Sequence, residues 1–393
     1  MHKENIRLGV FGFGCVGQGL HQVLEQTTGI RADIARICIK NPDKPRTLPA
    51  ERFTTDPAEL LDDPTIDVVV ELIDDADAAF EIVSTALRRG KAVVSANKKM
   101  IAEHLPELLQ LQEEYGRPLL YEGSCCASIP IIRNLEEYYD NDLLTSVEGI
   151  FNGSTNYILT KVFDEGLGFE EALAEAQAKG FAETDPTLDL EGWDPKYKLV
   201  ITLLHAFGVT ARPEEVFHFG IHRINEHDIA FARQRGLRIK LLARCQRHED
   251  TVRAYVLPRL VNGNSHLTDV NHEYNGVVLE SAFSESQLFV GKGAGDRPTG
   301  SAVLSDISAL TYQYKYEYKK RAQGTPLQLS PEGPPLRVYV RYEDEGDLTW
   351  DDFASVEERY QSPSHRYVIG TLPLDKLHAA AWLANPAVNV MEL

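Results

Sequence analysis

The chain has 393 residues, with 40 Lys and Arg against 59 Asp and Glu and a net charge of −19. That length accommodates two or three domains, and the acidic balance argues against gripping nucleic-acid backbone or an anionic membrane. No stretch reaches the ~20 apolar residues of a membrane span, and the opening MHKENIRLGVFGFG lacks a signal-peptide layout. The five cysteines, an odd number without a CxxC pair, suit neither a disulfide framework nor a zinc knuckle, so a reduced cytoplasmic protein is expected.

Residues 6–11 (IRLGVF) predict a strand, followed by Gly12, Gly14 and a helical pattern on Val16, Leu20, Val23 and Leu24. Further strands are predicted at 33–40, 67–73, 91–96 and 118–123, and they alternate with helices at 76–89 and 103–115. Strands alternating with helices imply βαβ units and a doubly wound parallel sheet of the Rossmann type, here over 1–137. From about residue 140 the texture changes. LLTSVEGIFNG and IKLLARCQRHEDTVRAYVLPRLV have antiparallel strand character, with helices at 154–164, 169–179 and 195–207 between them, so 138–295 reads as an α+β domain. A helix near 298–312 follows. The Pro- and Gly-rich stretch 323–336 predicts a linker. Residues 337–393 then predict a small C-terminal α+β module, loosely ACT-like, with Leu377, Ala381 and Trp382 on one helical face.

Gly12, Gly14 and Gly17 fit G-x-G-x-x-G between a strand and a helix, the context that makes this motif a dinucleotide site. The first glycine permits the tight turn, the second admits a pyrophosphate, and the third lets helix pack on strand. At the end of the second strand, where an acid commonly holds a ribose hydroxyl, stands Lys40, with Lys44 and Arg46 close by. Positive charge there favours a 2′-phosphate and hence NADP. A solvated basic loop, with NAD as cofactor, is the alternative.

In LEGWDPKYKLVITLLHAFG, Asp194 is predicted as helix N-cap, Pro195 as first helical residue and Gly208 as terminator. Lys198 is not explained by helix punctuation. Burial disfavours a charged amine and a nearby carboxylate favours it, so Lys198 one turn from Asp194 suits a group that gains and loses a proton. The plain alternative is a lysine that lies along apolar surface with its amine in water. The run Glu183, Asp185, Asp189, Glu191 and Asp194 reads as a solvated charge run, a metal site or a cradle for an ammonium group. No His or Cys joins it at metal-ligand spacing.

SANKKM (95–100), NGSTNYILTKV (152–162), AKGFAETDPTLDLEGWDPKYKL (178–199) and GKGAGDRPTGSAVLSDI (291–307), in that order after the glycine loop, resemble homoserine dehydrogenase over about residues 6–312. The resemblance implies reversible hydride transfer between NAD(P)H and aspartate 4-semialdehyde, giving homoserine, on the route to threonine, methionine and isoleucine. It further implies that a helix over 296–312 completes the nucleotide domain, and that the second domain carries both catalysis and homodimer pairing. By the same resemblance, Lys198, Lys98 and Asp194 are catalytic, and Glu183, Asp189, Asp194, Gly153 and Ser154 bind substrate. Gly12, Gly14, Val16, Gly17, Lys40, Ile73, Lys98, Gly180 and Gly295 contact cofactor. A monovalent cation, sodium, is carried over to Glu122, Cys125, Ala127 and Ile129, mainly through backbone carbonyls. The chain departs from the family pattern at Asp74 and Asp75, at Cys126 and Ser128, at Phe181 and at Ser154.

Two rival readings stay open at this point. Cys125–Cys126 invites a thioester mechanism like that of aspartate-semialdehyde dehydrogenase, although two buried thiols are the simpler reading. A non-catalytic dinucleotide sensor is the other, and the set Lys98, Asp194 and Lys198 speaks against it.

Overall fold

The computed structural model describes residues 5–393, so the absence of a leader, read from the start of the chain, falls partly outside the described residues. Two compact units are present, Met1–Asp140 with Gly291–Lys319, and Asn141–Val290 with Lys320–Leu393. No helix among the described residues is long and apolar enough to cross a membrane.

The first unit contains strands β1 (Ile6–Phe11), β2 (Ala32–Cys38), β3 (Phe53–Thr54), β4 (Val68–Glu71), β5 (Ala92–Ser95) and β6 (Leu119–Leu120). They form one sheet in the order β3-β2-β1-β4-β5-β6, and every pairing is parallel. All four residues of β4 (VVVE) are buried, as a strand covered on both faces requires. Strand order reverses between β1 and β4, which opens a ligand crevice at the carboxyl ends of these strands. The helix Asp296–Leu310 packs on the helix Cys15–Gln26 at Gly19 and Gly300. A methyl on Gly19 would stand 2.0 Å from the Asp296 carbonyl oxygen, so that approach excludes any side chain. The helix predicted over 103–115 is Leu105–Tyr115, and a further short helix, Lys98–Glu103, precedes it; Pro106 in the first turn of the second lacks the N–H needed to continue the first.

The second unit contains β7 (Leu144–Ile150), β8 (Phe217–His218), β9 (Arg238–His248), β10 (Thr251–Val261), β11 (Tyr274–Ser281), β12 (Glu285–Lys292), β13 (Gln328–Leu329), β14 (Leu336–Tyr342), β15 (Ser355–Gln361), β16 (Arg366–Leu372) and β17 (Asn389–Glu392). Their sheet runs β12-β11-β7-β9-β10-β17-β14-β16-β15, with β8 and β13 also paired to β10.

The tail departs from expectation. Residues 323–336 are not a free linker, because β13 pairs with β10 and β14 begins at Leu336. Residues 337–393 are not a separate module, because β17 joins β10 to β14 and carries the sheet across. The tail strands pair antiparallel with one another, with a single short helix, Leu374–Ala379, and so form no free-standing ACT-like βαβ unit. One apolar cluster mixes Phe217, Phe219, Tyr255 and Leu257 with Val338, Val340, Leu377, Trp382 and Val390. The physical reason is burial: a 57-residue fragment gains little core of its own, whereas extending an existing sheet shares one. Ala381, predicted on the buried face, is exposed, because the helix ends at Ala379 and an extended Ala380 separates it from a new 3₁₀ turn, Ala381–Ala384.

Candidate active site

In the nucleotide unit, Gly12 has φ +93°, and a methyl there would lie 2.7 Å from the Leu72 carbonyl oxygen. A methyl on Gly17 would lie 2.6 Å from the Gly12 carbonyl oxygen, whereas around Gly14, the N-cap of Cys15–Gln26, nothing lies within 4 Å. Two glycines thus close the turn and the middle one leaves room at a helix N-terminus, as phosphate binding demands. Val16 is half-buried in the first turn of that helix. Beyond β2, Lys40 and Lys44 are exposed. Arg46 donates to the Asn41 and Lys44 carbonyls at 2.6 and 2.7 Å and lies over the Phe53 ring, so its guanidinium is already committed to its own loop.

Two adjacent loops at the carboxyl ends of β4 and β5 are held by one buried carboxyl. Glu71 accepts from Ile73 N at 2.7 Å and from Ser95 Oγ at 2.5 Å. Burial pushes its pKa up to about 7 against the pull of those hydrogen bonds. Asn97 accepts from Met100 N, capping the helix that Lys98 begins, and donates to the Ile73 carbonyl at 3.1 Å. Lys98 is half-buried at that helix start. Asp75 turns out to be an N-cap, accepting from Ala78 N at 3.1 Å, which accounts for an acid at that position, while Asp74 is exposed beside it. Gly295 has φ +118° and caps Asp296–Leu310.

The segment Glu122–Ile129 is buried except for Ser128. Cys126 and Ala127 adopt φ +54° and +38°, the left-handed region that glycine fills most readily. Two non-glycine side chains therefore sit in a conformation that carries a steric cost for them. The Glu122 carboxylate is spent on Ile132 N and Arg133 N, at 2.9 Å each, so any ligation from this residue falls to its carbonyl. Cys125 and Cys126 are buried at 0% and 1% exposure, which removes both thiols from an aldehyde arriving through solvent.

In the second unit the helix Trp193–Phe207 carries Asp194 and Lys198 on one face, four residues apart. The N-cap is Gly192, not Asp194, which lies within the first turn and faces inward. Gly208 ends the helix with φ +71°. The Lys198 amine donates to Asp194 Oδ2 and to the Phe151 carbonyl, both at 2.7 Å. Both charged residues are under 10% exposed. The amine therefore does not snorkel to water; a carboxylate and a carbonyl hold it inside.

Asn152, which sequence reasoning passed over, joins this pair to the acid run. Its amide donates to Asp189 Oδ1 at 2.7 Å and to Asp194 Oδ2 at 2.9 Å. Its Oδ1 accepts from Thr155 N, capping the helix Gly153–Thr160. Gly153 is required there, since a methyl would stand 2.6 Å from the Glu273 carbonyl oxygen. Ser154 Oγ donates to the Phe181 carbonyl at 2.5 Å and so fixes the loop that bears Gly180 (φ +75°) and Glu183. Glu183 itself is exposed. The only available signal for Asn152 was its place in NGSTN, an N-cap residue ahead of an apolar helix.

Two family models match the chain, one for homoserine dehydrogenase over residues 130–308 and one for the homoserine dehydrogenase NAD-binding domain over residues 12–122. Among curated relatives, homoserine dehydrogenase of Bacillus subtilis is 37% identical over 314 residues, covering 78% of this chain and 72% of the relative. The chain belongs to the homoserine dehydrogenase family. The Helicobacter pylori homoserine dehydrogenase is 34% identical, covering 78% of this chain and 73% of its own. The solved homoserine dehydrogenase of Thiobacillus denitrificans superposes with a TM-score of 0.83 at 30% identity, covering 99% of this chain and 97% of its own, so its fold parallels the tail as well. A hyperthermophilic archaeal homoserine dehydrogenase mutant, solved in complex with NADPH, has a TM-score of 0.67 at 25% identity, covering 80% and 99%. Membership makes the chain an NAD(P)-dependent oxidoreductase with a small-molecule substrate.

Proposed function

We propose that Lys198 transfers the proton in the reaction of this family, the reversible NAD(P)-dependent interconversion of L-homoserine and L-aspartate 4-semialdehyde. The observation that carries this reading is the Lys198 amine, buried and held by Asp194 Oδ2 and the Phe151 carbonyl at 2.7 Å each. When bound, the nicotinamide ring supplies or accepts the hydride. As negative charge develops on the aldehyde oxygen, Lys198 donates a proton to it, and in the reverse direction it withdraws the proton from the hydroxyl. Asp194 stabilises the charged amine and aims it. Asp189 and Glu183 are assigned to the substrate's ammonium and polar groups, with Gly153 and Ser154 shaping the adjoining backbone. Lys98, at the carboxyl edge of the parallel sheet, is assigned to the space between nicotinamide and substrate.

Gly12, Gly14, Val16 and Gly17 are assigned to the pyrophosphate, and Ile73, Gly180 and Gly295 to the rest of the cofactor. With Arg46 committed to its own loop, Lys40 and Lys44 supply the charge for a 2′-phosphate, which supports NADP over NAD. The left-handed turn at Cys126–Ala127 supports a monovalent cation held by backbone carbonyls of Glu122, Cys125, Ala127 and Ile129. All five cysteines are free, which suits the cytoplasm. A homodimer paired through the second unit completes the reading.

The test follows absorbance at 340 nm with homoserine and each cofactor in turn. Wild type is expected to turn over, and Lys198→Ala to lose about 10²–10⁴-fold in kcat, the range of a general acid/base. Near-normal turnover by a folded Lys198→Ala would end the proton-transfer assignment.

A further inference from the structure

We infer that Asn152 is a positioning residue for catalysis: one side-chain amide spans Asp189 and Asp194 and so sets the carboxylate that holds Lys198. The inference rests on the proton-transfer role proposed above for Lys198. An asparagine amide has two N–H donors and one acceptor oxygen. Here both donors are spent on carboxylate oxygens, at 2.7 and 2.9 Å, and the oxygen on Thr155 N at 2.8 Å. The reversed rotamer is excluded by the same network. It would turn an acceptor toward two carboxylates and a donor toward a backbone N–H. Asn152 is 4% exposed, so water cannot replace it cheaply.

The geometry couples three groups that lie far apart in the chain. Asp194 Oδ2 receives both the Asn152 amide and the Lys198 amine. The residue before Asn152 offers Lys198 its carbonyl. One dipeptide, Phe151–Asn152, thus fixes the lysine directly and through its carboxylate. Asn152 also holds two carboxyl groups of the acid run side by side with one amide. Asn152 itself need touch no reacting atom.

The alternative is that Asn152 serves only as a helix cap. Serine caps a helix about as well as asparagine, but its single hydroxyl cannot reach two carboxylates while also accepting from Thr155 N. Asn152→Ser therefore keeps the cap and removes the bridge. In the full-length protein it is expected to unfold within a few degrees of wild type and to bind NADPH, followed by nucleotide fluorescence, with an unchanged Kd. Its kcat for homoserine oxidation is expected to fall about 10- to 100-fold, the cost of a misplaced reacting group, with KM for homoserine rising no more than a few-fold. Asn152→Ala should match it in kcat and add a loss of thermal stability. Wild-type kcat in Asn152→Ser would reduce Asn152 to a cap and overturn the inference alone. A collapse of the fold in Asn152→Ser would overturn it too, by assigning the bridge to stability. Failure of the wild type to oxidise homoserine would overturn this inference together with the function on which it rests.

Discussion

The strongest stability prediction concerns the buried contact by which the tail is fastened. Asp228, in the helix Glu226–Gln234, is fully buried and accepts from Tyr339 Oη, Arg341 Nε and Asn389 Nδ2, each at 3.0 Å. Arg341 also donates to the Ala387 and Arg223 carbonyls. Three of the Asp228 partners thus come from β14 and β17. Asp228→Asn is nearly isosteric but removes the counter-charge of a guanidinium that is 5% exposed. Breaking such a pair by removing one partner costs about 3–5 kcal/mol, mostly the penalty of the stranded charge. For a folding unit of this size each kcal/mol lowers Tm by roughly 2–4 °C, so a drop on the order of 10 °C is expected. Thermal unfolding followed by circular dichroism measures it, and a single cooperative transition should persist. The reasoning is refuted if Asp228→Asn melts within about 2 °C of wild type, or if a separate low-temperature transition appears for the tail.

Three further outcomes follow. A chain cut near Ser330 is expected to be insoluble or unfolded, because it exposes the apolar cluster shared by Phe217, Tyr255 and Leu257; soluble expression with homoserine turnover would contradict this. Lys40→Asp should raise KM for NADP more than for NAD, since repulsion replaces attraction beside the 2′-phosphate, and equal changes would remove Lys40 from that role. Burial between Trp193 and His218 brings Lys196 down from 10.5 to about 8. The unfolded chain therefore holds that proton more tightly between pH 8 and 10.5, the fold bears the desolvation cost below pH 8, and stability from this group rises with pH across that window. Lys196→Met should raise Tm at pH 7, with the gain fading above about pH 10; a gain that does not depend on pH would mean that packing alone explains it.

Much of the molecule was readable from local pattern. The alternation of apolar runs with helical periods places β1, β2, β4, β5 and β6 within a few residues but misses the two-residue β3, because strand and helix periodicities are local properties of the chain and two residues show no period. The glycine loop was legible because a turn that admits phosphate needs residues without a Cβ at fixed spacing. Lys198 and Asp194 share a helix face simply by being four residues apart. Tertiary structure decided the rest. Asp194 had the composition of a cap, yet the N-cap position falls to Gly192 and the Asp194 carboxylate turns inward to a buried amine. Asn152 lies 37 residues from Asp189 and 42 from Asp194, and no periodicity reports a hydrogen bond across that distance. The proline-rich stretch before Leu336 had the composition of a linker, but β13 and β17 both pair with β10, strands distant in sequence. Strand pairing is settled by which apolar faces can be buried together, a property of the whole sheet that a local window of residues does not contain.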